Sequence, residues 1–147
     1  MSKSVNDLVL DAALEYLLGN GLKLSVCEGE PTTFEHADSN KGTATGKVLA
    51  SVVMESGDYT IDDDTSGRKI TMSEQADMTV DVTGDADHVA IVDTDNSNLL
   101  YVTTCTLQTL TAANTVTAPA WVINIQDPVW QRLTTNWWLE NKWILTR

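Results

Sequence analysis

Two segments of the chain alternate acidic, hydroxyl and amide side chains in the way that a calcium-binding loop does. They are residues 62–67, DDDTSG, and residues 93–98, DTDNSN. Hard cations such as Ca²⁺ prefer oxygen ligands in this pattern, but neither segment has the glutamate at its twelfth position that closes a hand-type site. Because Asp, Asn, Ser and Gly are also the residues of hairpin turns, we expect turns at both places, and calcium binding is the alternative.

The other residues that are capable of catalysis do not form a recognised motif. His36 and His88 lack metal-ligand spacing, and Cys27 and Cys105 do not have C-x-x-C spacing. The sequence also lacks a glycine-rich phosphate loop and a G-x-S-x-G nucleophile elbow. We therefore predict that the protein is not an enzyme and uses no cofactor. Each cysteine lies in a strand-like segment, so we expect two buried free thiols, with a disulfide as the alternative.

The distribution of charge narrows the range of partners. The chain has 147 residues and a net charge of −12. Residues 1–127 hold 20 acidic and 6 basic side chains, whereas residues 128–147 carry a small positive charge from Arg132, Lys142 and Arg147 against Glu140. An acidic body repels phosphate, so direct nucleic-acid binding is not expected. No apolar run approaches the roughly 20 residues that cross a bilayer, and residues 1–13 do not resemble a secretory signal. We expect a protein made in a cytoplasm, without membrane contact.

Residues 5–18 predict one amphipathic helix. Its apolar residues have the i, i+3, i+4, i+7 spacing of a helix face: Val5, Leu8, Val9, Ala12, Ala13, Tyr16 and Leu17. Ser4 is a suitable N-cap, and Asp7 suits the positive end of the helix. The glycines at 19 and 21 supply the left-handed stop. We expect this helix to cover one edge or end of the domain.

The chain from residue 22 to about residue 128 predicts short strands and turns. The strand-like segments are 22–26, 47–54, 59–61, 69–72, 78–82, 88–92, 99–103 and 121–125. This pattern favours a mainly β domain over residues 1–129, an antiparallel β-sandwich or a small barrel with the one N-terminal helix. Residues 35–46 have the composition of a loop, and we expect a mobile surface loop there.

Residues 130–147 form a tryptophan-rich C-terminal arm in this interpretation. It contains Trp130, Trp137, Trp138 and Trp143, and it could form a hairpin or a helix, with the composition favouring strands. Four such side chains bury about 150–250 Å² each when covered, and uncovered they make a larger apolar patch than soluble monomers usually carry. They either pack on their own domain or dock on another subunit. We favour docking as partner-binding anchors, because the arm follows the apparent end of the domain and reverses the sign of the charge.

Three segments together resemble small virion or hypothetical proteins that tailed bacteriophages and prophages encode. They are the C-x-x-x-P-T-T-F segment from Cys27 to Phe34, the S-G-R-K turn at 66–69, and A-W-x-I-x-I-x-D-P at 120–128. The resemblance extends over roughly residues 5–129, and the arm lies beyond it. It brings no catalytic residues with it.

The resemblance implies an accessory structural protein of the virion, most simply a head decoration or cement protein. Its partners would be the major capsid protein or other virion proteins, and a homo-oligomer, by analogy a trimer, is expected. The alternatives are a tail, collar or fibre-attachment component, and a carbohydrate-binding β-sandwich whose exposed aromatic side chains stack on sugars.

Overall fold

A computed structural model of the chain describes residues 5–18 and 22–127. The two helices are α1 (Asp7–Tyr16) and α2 (Phe34–Asp38). The strands in these residues are β1 (Leu22–Cys27), β2 (Val48–Val53), β3 (Tyr59–Asp63), β4 (Arg68–Met72), β5 (Gln75–Thr79), β6 (Gly84–Asp93), β7 (Asn98–Leu110), β8 (Thr115–Ala118) and β9 (Trp121–Ile125). The mainly β, antiparallel class with a short N-terminal helix is confirmed.

The strands form three sheets in the described part of the chain. The largest has the order β2-β1-β6-β7, and every neighbouring pair in it is antiparallel. The other two have the orders β3-β4-β9 and β5-β8 and are also antiparallel. The antiparallel sheets of the fold class are present, and the barrel alternative is not confirmed by the described residues. The sequence missed β8 and the second half of β7.

One main apolar core joins the three sheets. Leu24 and Ile91 come from the four-stranded sheet, Ile70 and Met72 from β4, and Val80 from the segment after β5, and all are at most 1% exposed. The alternation of strand side chains places these residues on the inner faces, where their removal from water stabilises the fold. None of the helices in the described residues is long and apolar enough to span a membrane.

The helix α1 is present, but it buries a different face from the predicted one. Leu10 and Leu14 are buried, whereas five of the seven residues assigned to the apolar face are exposed: Leu8, Val9, Ala12, Ala13 and Tyr16. The physical reason is that Leu10, Leu14 and the partly buried Leu17 and Leu18 form a second stripe with equally good helical spacing. The helix begins at Asn6, whose side chain accepts from the Leu8 N–H, while Ser4 lies outside the described residues.

The segment 35–46, for which we expected a loop, contains most of a short helix. Its start belongs to α2, which Thr33 caps by accepting from the His36 N–H. Ala37 is fully buried, and Lys23 Nζ contacts Asp38 Oδ1 at 2.8 Å. A helix of five residues is shorter than two turns, so it leaves no periodicity that a sequence pattern could reveal.

The cysteines are both free, and only one of them is buried. Cys27 lies within the largest sheet, and burial raises the pKa of its thiol to about 12. Cys105 is exposed, so the expectation of two buried thiols is wrong for this residue. The reason is position: β7 is an edge strand, and its residues from Thr104 to Thr109 are all exposed.

Candidate interaction surfaces

The Asp-rich segments are hairpin turns that satisfy their own carboxylates. Asp93 accepts from the N–H groups of Asp95 and Asn96, each at 3.0 Å, and from Asn96 Nδ2 at 2.7 Å. These bonds lower the pKa of Asp93, with the Asn96 side chain as the main cause. Asp64 likewise accepts from the Asn124 side chain and the Thr65 N–H. The turn interpretation is therefore confirmed for both segments. In the described residues, no three His, Cys, Asp or Glu side chains are grouped as a metal site would need.

A cluster of charged side chains outside these turns connects the end of β1 to the start of β6. Glu28 Oε2 accepts from Lys41 Nζ at 2.6 Å and from the Asp85 N–H at 2.8 Å. Asp87 Oδ1 accepts from the Gly29 N–H at 2.6 Å and lies 2.8 Å from His88 Nδ1. The bond from Lys41 lowers the pKa of Glu28, and the His88 contact lowers that of Asp87. These groups bond to one another rather than facing an open cleft, so their geometry is that of a structural clasp.

The strands β7, β8 and β9 carry no charged residues of their own, and the nearest charges are those of β6, where Asp85 accepts from the Thr109 hydroxyl at 2.7 Å. Residues 96–126 include no Asp, Glu, Lys, Arg or His, in a chain of which 20% of the residues are charged. Threonine and apolar side chains make up most of these strands. We call the exposed surface of these three strands, within residues 96–126, the neutral side. It is the feature that the sequence analysis missed, and the uninterrupted run without charge is the signal that could have revealed it.

A groove opens on the neutral side, between β7 and the β8–β9 corner. Its volume is about 320 Å³, and its apolar lining includes Val26, Val89, Leu110, Val116 and Trp121. Val26 belongs to the main core and Val89 packs against it, so the groove gives access to the edge of the interior. Threonines of β7 also line it, among them Thr106. A concave apolar surface with a few polar groups at its rim is typical of binding sites.

Leu107 lies in a bulge of β7, between two residues that line the groove, and is not itself part of the lining. Ala86 pairs with Gln108 and His88 with Thr104, so residues 105–107 of β7 face only Asp87 across the ladder. Bulges bend a strand and redirect its side chains. Leu107 is 67% exposed, and its neighbours Thr106 and Gln108 both line the groove. A large apolar side chain is therefore exposed on an edge strand that carries no charged residue of its own, where a partner protein could cover it.

The exposed face of α1 is the second apolar surface, and we call it the helix side. It consists of Leu8, Val9 and Tyr16, which are 76%, 61% and 67% exposed, with the exposed Ala12 and Ala13 between them. Unlike the neutral side, it is flanked by the exposed carboxylates of Asp7 and Glu15. The partly buried ion pair between Arg68 Nε and Asp11 Oδ1, 2.6 Å long, helps to fix α1 on β4.

The predicted anchors Trp130, Trp137, Trp138 and Trp143 lie outside the described residues. Trp121, which the sequence assigned to the body, belongs to β9 and lines the groove. The structure thus places one of the five tryptophans at a candidate surface. No protein-family model matches the chain, and comparisons with curated proteins and with solved structures give no match either.

Proposed function

We propose that this protein is an accessory structural protein of a tailed-phage particle, most simply a head decoration or cement protein that binds coat subunits. The resemblance of residues 5–129 to small phage virion proteins supports the proposal that the protein belongs to a phage particle. The observation that carries the binding role is the neutral side, with its apolar groove and the exposed Leu107. In this proposal the partner is the major capsid protein or another virion protein.

The neutral side differs in charge from the rest of the body, which is acidic. The cores of protein interfaces are depleted in charged residues, because every charge that is buried must be stripped of water. Because β7, β8 and β9 carry no charged residues, few charges of this protein would lose water when a partner covers them. On a symmetric shell the same modest contact is repeated many times, and a protein that binds only the assembled form stabilises it.

Copy number in the purified particle tests the proposal. We expect this protein at a constant ratio to the major capsid protein, with copies on the order of hundreds if it follows the icosahedral lattice. About a dozen copies would instead support a tail, collar or fibre-attachment component, the nearest alternative. Absence from washed particles would contradict any structural role in the virion.

A carbohydrate-binding role is the second candidate, because Trp121 and several threonine hydroxyls line the uncharged groove. Aromatic faces with nearby hydroxyl groups suit neutral sugars better than charged ligands. Its test is a titration of the purified protein with neutral glycans while tryptophan fluorescence is followed. A saturable change that Trp121→Ala abolishes would favour this candidate over coat binding, and an unchanged spectrum would remove it.

A further inference from the structure

The helix side exposes apolar side chains that no described residue covers, and the C-terminal segment of the chain begins beside it. We propose that residues 128–147 of the same molecule pack on the helix side and cover Leu8, Val9 and Tyr16. This inference does not depend on the proposed function, because it concerns the fold of the free protein. It chooses between the two possibilities that the sequence left open for the four C-terminal tryptophans, and it favours packing on their own domain.

The point at which the segment leaves the body is the first argument. The Val5 N–H donates to Asp127 Oδ1 at 3.4 Å, so the last described residue lies next to the start of α1. Gly67 packs closely against the same stretch, because a Cβ atom added to Gly67 would lie only 2.9 Å from the Asp127 nitrogen. Trp130 is three residues further on, a reach of about 10 Å of extended chain. The helix is 10 residues long, or about 15 Å. The tryptophans can therefore reach the whole helix side without a long connection.

Charge is the second argument, and it selects the occupant. The helix side carries the exposed Asp7 and Glu15, with Asp11 beside them, so two copies of α1 packed together would bring like charges into contact. Residues 128–147 are the part of the chain with a net positive charge, from Arg132, Lys142 and Arg147 against Glu140. Opposite charges near an apolar contact favour the correct partner and disfavour the wrong one.

Tethering is the third argument, and it favours the same molecule over a second copy. Only Pro128 and Val129 separate the fixed Asp127 from Trp130. A connection this short within one chain gives an effective concentration on the order of millimolar, well above that of free protein in most solutions. The aromatic side chains and the helix side are both apolar surfaces that would otherwise remain in water. Packing in the same molecule buries both of them.

Limited digestion of the full chain with trypsin tests this proposal, because Arg132 and Lys142 provide cleavage sites in the segment. We expect Leu8→Asp to speed cleavage after Arg132 roughly tenfold over the wild type, since a charge at this contact favours the open form. The matched control is Val53→Asp on β2, which is 66% exposed, and we expect it to leave the rate unchanged. The body sites at Lys23, Lys47 and Lys69 report on the fold. If trypsin also cleaves these body sites faster in Leu8→Asp, that variant has lost its fold. The comparison is then made with Tyr16→Asp, at the other end of α1.

Two results would overturn the proposal. Equal rates of cleavage after Arg132 in the wild type and in the folded variant would show that the helix side does not hold the segment. Protection that is lost when the wild-type protein is diluted would show that a second copy supplies it. Protection that is independent of concentration and specific to the helix-side variants is the result we expect.

Discussion

The helix side and the neutral side both expose apolar residues, but they differ in charge and in what lies next to them. The helix side is flanked by Asp7 and Glu15, and the C-terminal segment begins beside it at Asp127. The neutral side has no charged residue between positions 96 and 126, and it contains a groove of about 320 Å³. The presence of exposed apolar side chains does not distinguish the two surfaces. Charge and chain connectivity distinguish them, and on these grounds we propose the helix side as the surface for the protein's own C-terminal segment and the neutral side as the surface for a partner.

The first way to sharpen this comparison is to contrast an exposed leucine of the neutral side with a buried one. Leu24 is fully buried in β1. We expect Leu24→Ala to lower the free energy of unfolding by about 2–5 kcal/mol, because it removes apolar contacts and leaves a cavity. Leu107→Ala should change it by no more than about 0.5 kcal/mol, because Leu107 already faces solvent. Urea denaturation of both variants measures this, and a large loss for Leu107→Ala would show that this residue belongs to the core.

The second prediction concerns the junction that fixes the start of the C-terminal segment. Gly67 has a φ of +85°, and a Cβ there would lie 2.0 Å from the Ile125 carbonyl oxygen. We expect Gly67→Ala to cost at least about 1–2 kcal/mol, from the left-handed backbone alone, and to displace the end of β9. Gly57→Ala is the control, because nothing lies within 4 Å of its Cβ position. Thermal unfolding distinguishes the two, and equal stability would contradict the packing at the end of β9.

The third and smallest effect is the response of the charged clasp near the groove to acid. The pKa values of Glu28 and Asp87 are lowered from their ordinary values of 4.5 and 3.8. Groups with lowered pKa values contribute stability above their ordinary pKa and lose it as the pH falls through the lowered value. We expect the wild type to lose stability below about pH 4, and Asp87→Asn to show a flatter dependence. Both groups are partly exposed to solvent, which screens their interactions, so the difference should be small. Identical pH profiles from urea denaturation would show that the clasp adds nothing.

Sequence patterns predicted the parts of the fold that repeat and missed the parts that depend on neighbours. The alternation of residues 22–26 and 121–125 identified β1 and β9, and the turn composition at 93–98 identified the hairpin between β6 and β7. Periodicity also found α1, but α1 has two apolar stripes, and only the packing of Leu10 and Leu14 shows which one is buried. The short α2 and the exposure of Cys105 depend on contacts and strand order that no local pattern contains.

For the candidate sites too, features that are local in sequence could be predicted, and features that depend on tertiary contacts could not. Composition drew attention to the tryptophans of residues 130–147, because aromatic clusters are visible in any sequence. The groove could not be predicted, because Val26, Leu110 and Trp121 come together only when three separate segments fold. The run without charge at 96–126 was available in the sequence. Its meaning became clear only when β7 was found at the edge of its sheet.

Binding to particles that lack this protein tests the central claim most directly. Purified wild type, Leu107→Asp, Val53→Asp and Leu8→Asp would each be mixed with such particles, and the bound fraction measured by co-sedimentation. Leu107 and Val53 are 67% and 66% exposed, on opposite edge strands of the largest sheet, so they form a matched pair. We predict that Leu107→Asp abolishes binding and that Val53→Asp and Leu8→Asp retain it. Retention by Leu107→Asp together with loss by Leu8→Asp would contradict the account and assign the partner to the helix side.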